Sequence, residues 1–217
     1  MKNKIIIFDL DGVLFDTVAP AIKHMKLIFP DMTLEAHKEL LIGNFHEEVS
    51  KVTLPRSQET EEETNARKLW YAQAKAESLM YEGTRELLID LKNHGYTLGL
   101  NTSASDNNCL PLLKGTNITE LFDFLGTAEI SKSKVEKFKM VQEKYGMEKD
   151  DMLFITDTLG DIRESDIAGI PTVAVTWGAH DKSYFGREEH KNLIKIVDTA
   201  EELKNFIFTT FHKIPFL

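Results

Sequence analysis

The N-terminal stretch KIIIFDLDG constrains the fold of this chain more than any other feature. Its apolar run from Ile5 to Phe8 is unbroken, which is typical of a strand buried on both faces of a parallel sheet. The run ends in two acids, Asp9 and Asp11, and alternate side chains of an extended segment share a face. Gly12 then permits a tight turn or the close approach of a ligand. Clustered carboxylates repel each other unless a positive group lies between them, and a hard cation with oxygen ligands suits that position.

Beyond residue 81, segments with strand and helix patterns alternate along the chain. Strands are predicted over residues 96–100, 122–125, 152–155 and 171–175, and helices over 83–94, 105–113, 134–145, a segment ending near 168, and 199–209. Such alternation predicts an α/β, Rossmann-like parallel sheet with helices on both faces and right-handed crossovers. No G-x-G-x-x-G follows a strand, so the pattern does not favour a dinucleotide cofactor.

Residues 17–81 differ from their surroundings because they contain no clear strand pattern. Helical spacing and Pro or Gly breaks predict helices over 17–29, 33–42, 45–53 and 58–80. The prediction is therefore an all-helical domain, 17–81, inserted into a core made of residues 1–16 and 82–217.

Composition narrows the classes of function. The formal net charge of −9 argues against a general nucleic-acid binder, and a single cysteine, Cys109, excludes an internal disulfide and fits a reducing compartment. No apolar run is long enough to span a membrane, and the chain enters its first strand without a signal-peptide pattern. We expect a cytoplasmic protein, a monomer or small homo-oligomer, that binds neither nucleic acid nor membrane.

Polar side chains follow two further strands. Thr102 and Ser103 come after the strand at 96–100, and Asp157 and Asp161 come after the strand at 152–155. Taken singly, Thr102 and Asp161 are equally typical of the start of a helix. Ligands of such sheets bind beyond the carboxyl ends of the strands, so these groups are expected near the two N-terminal acids. Four carboxylates in one cleft would destabilise one another without positive charge between them.

These segments resemble the motifs of the haloacid dehalogenase-like superfamily of phosphohydrolases. DLDGVLFDT, Asp9 to Thr17, is similar to motif I, and the strand ending at Thr102 looks like motif II. DTLGD, Asp157 to Asp161, is similar to motif IV, with Thr156 in place of the usual Gly. The resemblance covers nearly the whole chain and is greatest to the phosphoglycolate phosphatase/β-phosphoglucomutase-like group. In that group a helical insert between motifs I and II forms a C1-type cap.

The resemblance implies a Mg²⁺-dependent phosphatase that acts on a small phosphorylated metabolite. Asp9 would be the nucleophile, and Asp11 the general acid/base, which the dehalogenase branch lacks. The resemblance also implies phosphate contacts from Thr102, Ser103 and Gly12, and a magnesium site formed by Asp9, Asp11, Asp157 and Asp161, with Asp161 farther from the ion.

The lysine of motif III is harder to place in EISKSKVEKF. Aligning Glu136 and Phe138 with the family pattern puts Lys132 at the motif lysine. The two family prolines are absent, so Lys134 and Lys137 remain alternatives. Lys132 is the prediction.

The cap is expected to contact the substrate. Candidates are Asn44, Phe45 and His46, which lie beside Gly43, together with Lys51. For each of these residues, a structural role is the alternative and is more common for such residues.

Two other functions remain open. A β-phosphoglucomutase would use the same core, but those enzymes carry a His four residues after the threonine that matches Thr17, where this chain has Ala21. A catalytically silent binding protein on the same fold would be free to lose Asp9 or Asp157, and both are present.

Overall fold

A six-stranded parallel sheet lies at the centre of the computed structural model, which describes residues 4–211. Its strands are β1 (Ile5–Phe8), β2 (Thr97–Asn101), β3 (Phe124–Gly126), β4 (Met152–Thr156), β5 (Thr172–Val175) and β6 (Leu193–Val197). They are ordered β3-β2-β1-β4-β5-β6. The predicted α/β class with a parallel sheet is confirmed.

Ten α-helices complete the described residues: α1 (Val18–Ile28), α2 (Leu34–Glu39), α3 (Phe45–Ser50), α4 (Glu61–Ala76), α5 (Thr84–Asn93), α6 (Asp106–Gly115), α7 (Lys134–Tyr145), α8 (Leu159–Ala168), α9 (Lys182–Phe185) and α10 (Ala200–Thr209). Short 3-10 helices lie at Leu40–Ile42, Thr119–Leu121 and Lys149–Asp151. No helix of residues 4–211 is long and apolar enough to cross a membrane.

Strand β1 is the axis of the fold. It pairs in parallel with β2 and β4, so that Phe8 lies opposite Leu100 on one side and Ile155 on the other. Ile5 and Ile7 pack into one apolar cluster, whereas Ile6 and Phe8 pack into the cluster on the opposite face. Every side chain of β1 is buried, so the prediction of a strand covered on both faces is confirmed.

The region after β5 was not predicted. The structure places α9 and β6 between residues 176 and 198, where the sequence pattern indicated no element. β6 is an edge strand, and Ile194 is exposed, so the strand lacks the alternation of a half-buried strand. The pattern-based prediction failed because only one end of β6, at Val197, is fully buried.

The regular elements of the segment predicted as a cap are all helices, and near its end Met80 forms an isolated bridge with Phe15. Residues of α1, α2 and α3 contribute to an apolar cluster of their own, centred on Met25, Phe29 and Met32, and α4 packs against α1. The chain enters and leaves this insert through adjacent segments, because the Asp16 amide donates to the Leu79 carbonyl at 2.9 Å. The exact division into 1–16, 17–81 and 82–217 stays a prediction, and residues 1–3 and 212–217 lie outside the described residues.

The insert packs directly on the core at the N-terminus of α8. A Cβ atom on Gly160 would lie 2.3 Å from the Gly43 carbonyl oxygen, so only glycine permits this approach. Arg163 Nη1 donates to the Ile42 carbonyl at 2.5 Å, and His180 Nε2 donates to the Lys38 carbonyl at 3.0 Å. The structure is thus closed, with the insert lying over the carboxyl ends of the strands.

Candidate active site

The candidate site lies where the strand order reverses. Chain connections lead from β1 to β2 on one side, whereas β4 lies on its other side. A crevice forms at the carboxyl ends of strands around such a point, and ligands of open α/β sheets bind there. Asp9 follows β1 and Asp157 follows β4, so both acids line this crevice.

Asp9 is held from two sides. Its Oδ1 accepts from the Leu10 amide at 2.7 Å, and its Oδ2 lies 2.9 Å from Lys134 Nζ. The same Nζ lies 2.6 Å from Asp161 Oδ2, and Lys134 is 1% exposed. Burial raises the pKa of Asp9, the Lys134 ammonium lowers it, and the neighbouring carboxylates raise it further. Burial opposes the charge on Lys134, but Asp161 and Asp9 raise the pKa of Lys134 above its usual value.

The geometry corrects the prediction of Lys132. Lys132 is exposed, and its backbone carbonyl accepts from the Asn44 side chain at 3.0 Å. Ser133 is the N-cap of α7, its hydroxyl accepting from the Glu136 amide at 3.4 Å, so the helix begins at Lys134. Lys134 therefore occupies the first turn and points into the site.

The third candidate lysine of this segment also points inward. Lys137 is fully buried, and its Nζ donates to the Thr102 carbonyl at 2.6 Å. Burial lowers the pKa of Lys137 to about 8, and the nearby Lys134 charge acts in the same direction. Lys137 thus holds the backbone of the loop that carries Thr102.

Thr102 and Ser103 lie where they were predicted. The Thr102 hydroxyl is fully buried and accepts from the Ala104 amide at 3.1 Å, and its backbone amide donates to the Gly126 carbonyl at 2.9 Å. Both residues line the same cavity as Asp9. The loop after β2 therefore offers a hydroxyl and backbone groups on the side of the site opposite β4.

Asp11 is paired with a residue that the sequence reasoning missed. Its Oδ2 lies 2.7 Å from Lys75 Nζ, and Lys75 is 1% exposed although it belongs to α4 of the insert. Burial opposes the charge on Lys75, but Asp11 raises the pKa of Lys75 above its usual value. The available signal was helical spacing, because Lys75 lies one turn after Tyr71 on the inward face of α4.

The position of Asp157 requires glycine at two neighbouring residues, Gly12 and Gly178. Asp157 is 1% exposed, and its Oδ2 accepts from the Ala179 amide at 2.7 Å. Gly12 has φ +73°, and a Cβ on it would lie 1.9 Å from Asp157 Oδ2; a Cβ on Gly178 would lie 2.3 Å from the same atom. Burial raises the pKa of Asp157 to about 7, although the Ala179 amide opposes this shift. Gly12 is thus needed for the close approach of Asp157.

The free carboxylate oxygens of the site fit a magnesium ion. Asp157 Oδ1 and Asp11 Oδ1 are buried without a hydrogen-bond partner in the described part of the chain. Between residues 4 and 211, no three His, Cys, Asp or Glu side chains form a ready-made metal cluster. Mg²⁺ does not need one, because it keeps several waters and takes one or two carboxylates plus a substrate phosphate. Asp161 is less suited to bind the ion, since its Oδ2 accepts from Lys134 and from the Thr156 hydroxyl, each at 2.6 Å.

The candidate cap contacts separate into two groups. Phe45 and His46 line the cavity beside Asp9. Asn44 does not, because its Oδ1 accepts from the Glu47 amide as the N-cap of α3 and its Nδ2 donates to the core. Lys51 pairs with Glu48 on the surface at 2.7 Å. The predictions of Asn44 and Lys51 as substrate contacts are therefore corrected: Asn44 fastens the insert to the core instead.

Comparison with known proteins finds relatives in sequence and in fold. A family model described as haloacid dehalogenase-like hydrolase matches residues 6–175. The phosphoglycolate phosphatase of Aliivibrio fischeri is 28% identical over 193 residues, covering 81% of this chain and 85% of that protein. The pyrophosphatase PpaX of Bacillus cereus is 26% identical over 192 residues, covering 85% of this chain and 88% of that protein. The crystal structure of CbbY from Rhodobacter sphaeroides in complex with phosphate has a TM-score of 0.74 at 19% identity, covering 93% of this chain and 96% of that one, which is a likeness of fold.

Proposed function

The chain belongs to the haloacid dehalogenase-like hydrolases, and we propose that it is a Mg²⁺-dependent phosphatase that forms an aspartyl-phosphate on Asp9. The observation that carries this proposal is the buried pairing of Asp9 with Lys134 at 2.9 Å, beside a second acid, Asp11. Lys134 orients one carboxylate for attack and offsets its charge, while Asp11 remains partly open to the cavity. A phosphomonoester of small-molecule size, as opposed to a phosphoprotein or nucleic acid, is the substrate class that this arrangement suits.

The reaction has two steps. In the first, a carboxylate oxygen of Asp9 attacks phosphorus in line, the P–O bond to the alcohol breaks, and Asp11 donates a proton to the departing oxygen. In the second, Asp11 takes a proton from a water that attacks the aspartyl-phosphate, which releases inorganic phosphate and restores Asp9. Asp11 thus returns to its starting protonation state after each turnover.

Other residues stabilise charge during both steps. In this proposal the Thr102 hydroxyl and the Ser103 amide donate to the oxygens of the phosphoryl group, and Lys134 offsets the charge on Asp9. Asp9, Asp11 and Asp157 would hold Mg²⁺, which would supply positive charge against that of the phosphate. Asp161 acts through Lys134, which it holds at 2.6 Å.

The insert contributes to the chemistry as well as to closure. Lys75 reaches Asp11 only when α4 lies over the core, so closure of the insert brings a cation to the proton-transfer residue. The closed insert also excludes water while the aspartyl-phosphate forms. Ala21 lines the cavity without a titratable group, which favours a phosphatase over a mutase. A cytoplasmic location stays a prediction, in accord with the buried free thiol of Cys109.

Asp9→Asn tests the proposed function. We expect the purified variant to lose turnover of p-nitrophenyl phosphate in Mg²⁺ buffer and to lose the acid-stable phosphoryl adduct seen by intact-mass spectrometry after quenching. The matched control is Asp150→Asn, an exposed acid just before β4, which should retain wild-type activity. Substantial turnover by a folded Asp9→Asn variant would falsify the covalent mechanism.

A further inference from the structure

The cavity beyond Asp9 and Asp11 is far larger than a phosphate group with a small acid requires. It has a volume of about 800 Å³ and extends from the strand ends into the insert. Pockets that bury a drug-sized ligand have volumes of roughly 300–1,000 Å³. A two-carbon leaving group would leave most of this space to water.

The part of the cavity inside the insert is mainly apolar. Its walls include Ala21, Met25 and Ile28 of α1, Phe45 and Val49 of α3, and Ala72 of α4. Such walls favour an apolar body on the leaving group, because apolar surface leaves water on both partners.

The cations that line this cavity do not offer a free charge to an acidic leaving group. Arg67 binds Glu59 through Nε at 2.8 Å and Nη2 at 2.8 Å, and Lys75 binds Asp11 at 2.7 Å. Lys68 is exposed, so water screens its charge. A carboxylate on the leaving group would therefore enter the apolar part without a partner, which is unfavourable.

Two buried ring nitrogens indicate where a ligand would make hydrogen bonds. Arg67 Nη1 lies 3.1 Å from His24 Nε2, and because arginine only donates, the proton of His24 is on Nδ1. His24 Nδ1 and His46 Nε2 are both buried with no partner in the described part of the chain, and both residues line the cavity. Burial lowers the pKa of His24 to about 4 and lowers the pKa of His46, so both rings are neutral near pH 7.

We propose that this site hydrolyses phosphomonoesters whose leaving alcohol carries a bulky, uncharged and largely apolar body, which fills the cavity in the insert. This inference rests on the proposed function for turnover, but not for binding. The proposed substrate preference differs from that of an enzyme whose leaving group is small and acidic, such as glycolate.

Three esters with the same kind of leaving oxygen, a primary alcohol, test the inference: 4-phenylbutyl phosphate, ethyl phosphate and phosphoglycolate. With wild-type protein in Mg²⁺, we expect 4-phenylbutyl phosphate to have a kcat/KM at least about tenfold above the other two, because pocket burial of a few methylenes gives discrimination of that order. Calorimetric titration with 4-phenylbutylphosphonate, ethylphosphonate and phosphonoacetate, which are not turned over, should give the same order of affinity.

Ala72→Phe tests the placement, because the new ring occupies the cavity. It should reduce the advantage of the phenylbutyl ligand by about tenfold in both kcat/KM and Kd. Ala21→Leu, a smaller filler on α1, should act in the same direction if Ala72→Phe is poorly folded. Ala66→Phe adds the same ring on the exposed face of α4 and should leave all constants unchanged.

The outcomes separate the two proposals. Tight phenylbutylphosphonate binding with no turnover of any ester would overturn the proposed function and leave the cavity assignment standing. If the wild type bound phosphonoacetate as tightly as phenylbutylphosphonate or more tightly, the cavity assignment would be overturned. Equal losses of affinity for all three ligands in both Ala72→Phe and Ala21→Leu would overturn it as well.

Discussion

Replacing Lys134 with methionine tests the most specific feature of the site. Lys134→Met keeps the length of the side chain but removes an ammonium that lies 2.9 Å from Asp9 Oδ2 and 2.6 Å from Asp161 Oδ2. Both carboxylates would then be buried without their cation. Loss of one partner from a buried ion pair costs about 3–5 kcal/mol of folding free energy. Loss of a preorganised electrostatic group at a reacting centre costs roughly 10²–10³ in kcat.

The assay measures both quantities on the same preparations. Urea unfolding followed by circular dichroism gives the change in folding free energy, and p-nitrophenyl phosphate turnover in Mg²⁺ gives kcat. Lys132→Met is the matched control, since it removes an exposed ammonium two residues away and should change stability by less than about 0.5 kcal/mol. Lys134→Arg retains the charge and serves as a folded variant if Lys134→Met unfolds at the assay temperature. It should retain more stability than Lys134→Met but still lose kcat, because the planar guanidinium cannot replace the compact ammonium between two acids.

A wild-type kcat for Lys134→Met, with a loss of about 10² for Lys132→Met, would refute this reasoning and return the motif lysine to position 132. A large loss of stability without any loss of kcat would refute only the catalytic part, because it would make Lys134 a structural counter-ion.

The remaining predictions concern the insert, the metal and pH. Lys75→Met should lower kcat by about tenfold or more, since Asp11, the proposed proton-transfer residue 2.7 Å away, loses its cation; an unchanged kcat would remove the insert from the chemistry. Gly12→Ala should raise the Mg²⁺ concentration needed for half-maximal activity by about tenfold, because the new Cβ displaces Asp157, whereas Gly95→Ala, also at positive φ but in open space, should alter stability alone. Burial lowers the pKa of His37 to about 4. As pH falls below about 6.5, the unfolded chain therefore binds a proton at His37, whereas the folded protein binds it only near pH 4. Relative to a His37→Gln variant, the free energy of unfolding therefore keeps its full value above pH 6.5 and falls as pH drops towards 4. By pH 5 the loss is about 2 kcal/mol. Parallel pH profiles of the two proteins in urea unfolding would contradict this prediction.

The elements that could be predicted from the sequence are those whose cause is local. The run Ile5–Phe8 is apolar because both faces of β1 are covered, and the acids that follow it lie at a strand end for the same reason. Asp157 follows β4 in the same manner. A pattern of a few residues fixes these positions, so no distant contact is needed to find them.

The errors arise where a distant contact or a helix boundary decides the position. The choice between Lys132 and Lys134 depends on where α7 begins, and the capping hydroxyl of Ser133 sets that point instead of the family prolines. Asn44 is next to cavity residues in sequence but is turned to the core by the carbonyl of Lys132 and by Glu164. Neither partner can be inferred from the segment itself.

In the proposed mechanism, the insert contributes to both chemistry and specificity through residues that only tertiary structure reveals. Lys75 is far from Asp11 in sequence, yet Lys75 Nζ lies 2.7 Å from Asp11 Oδ2. The same helix supplies Ala72 and Arg67 to the cavity, and Arg67 fixes the tautomer of His24 on α1. A ligand that fills the cavity therefore favours the closed position of α4, and that position in turn holds Lys75 against Asp11. By this coupling, a leaving group too small to contact α4 would lose proton transfer as well as binding, so its penalty should appear in kcat and not in KM alone.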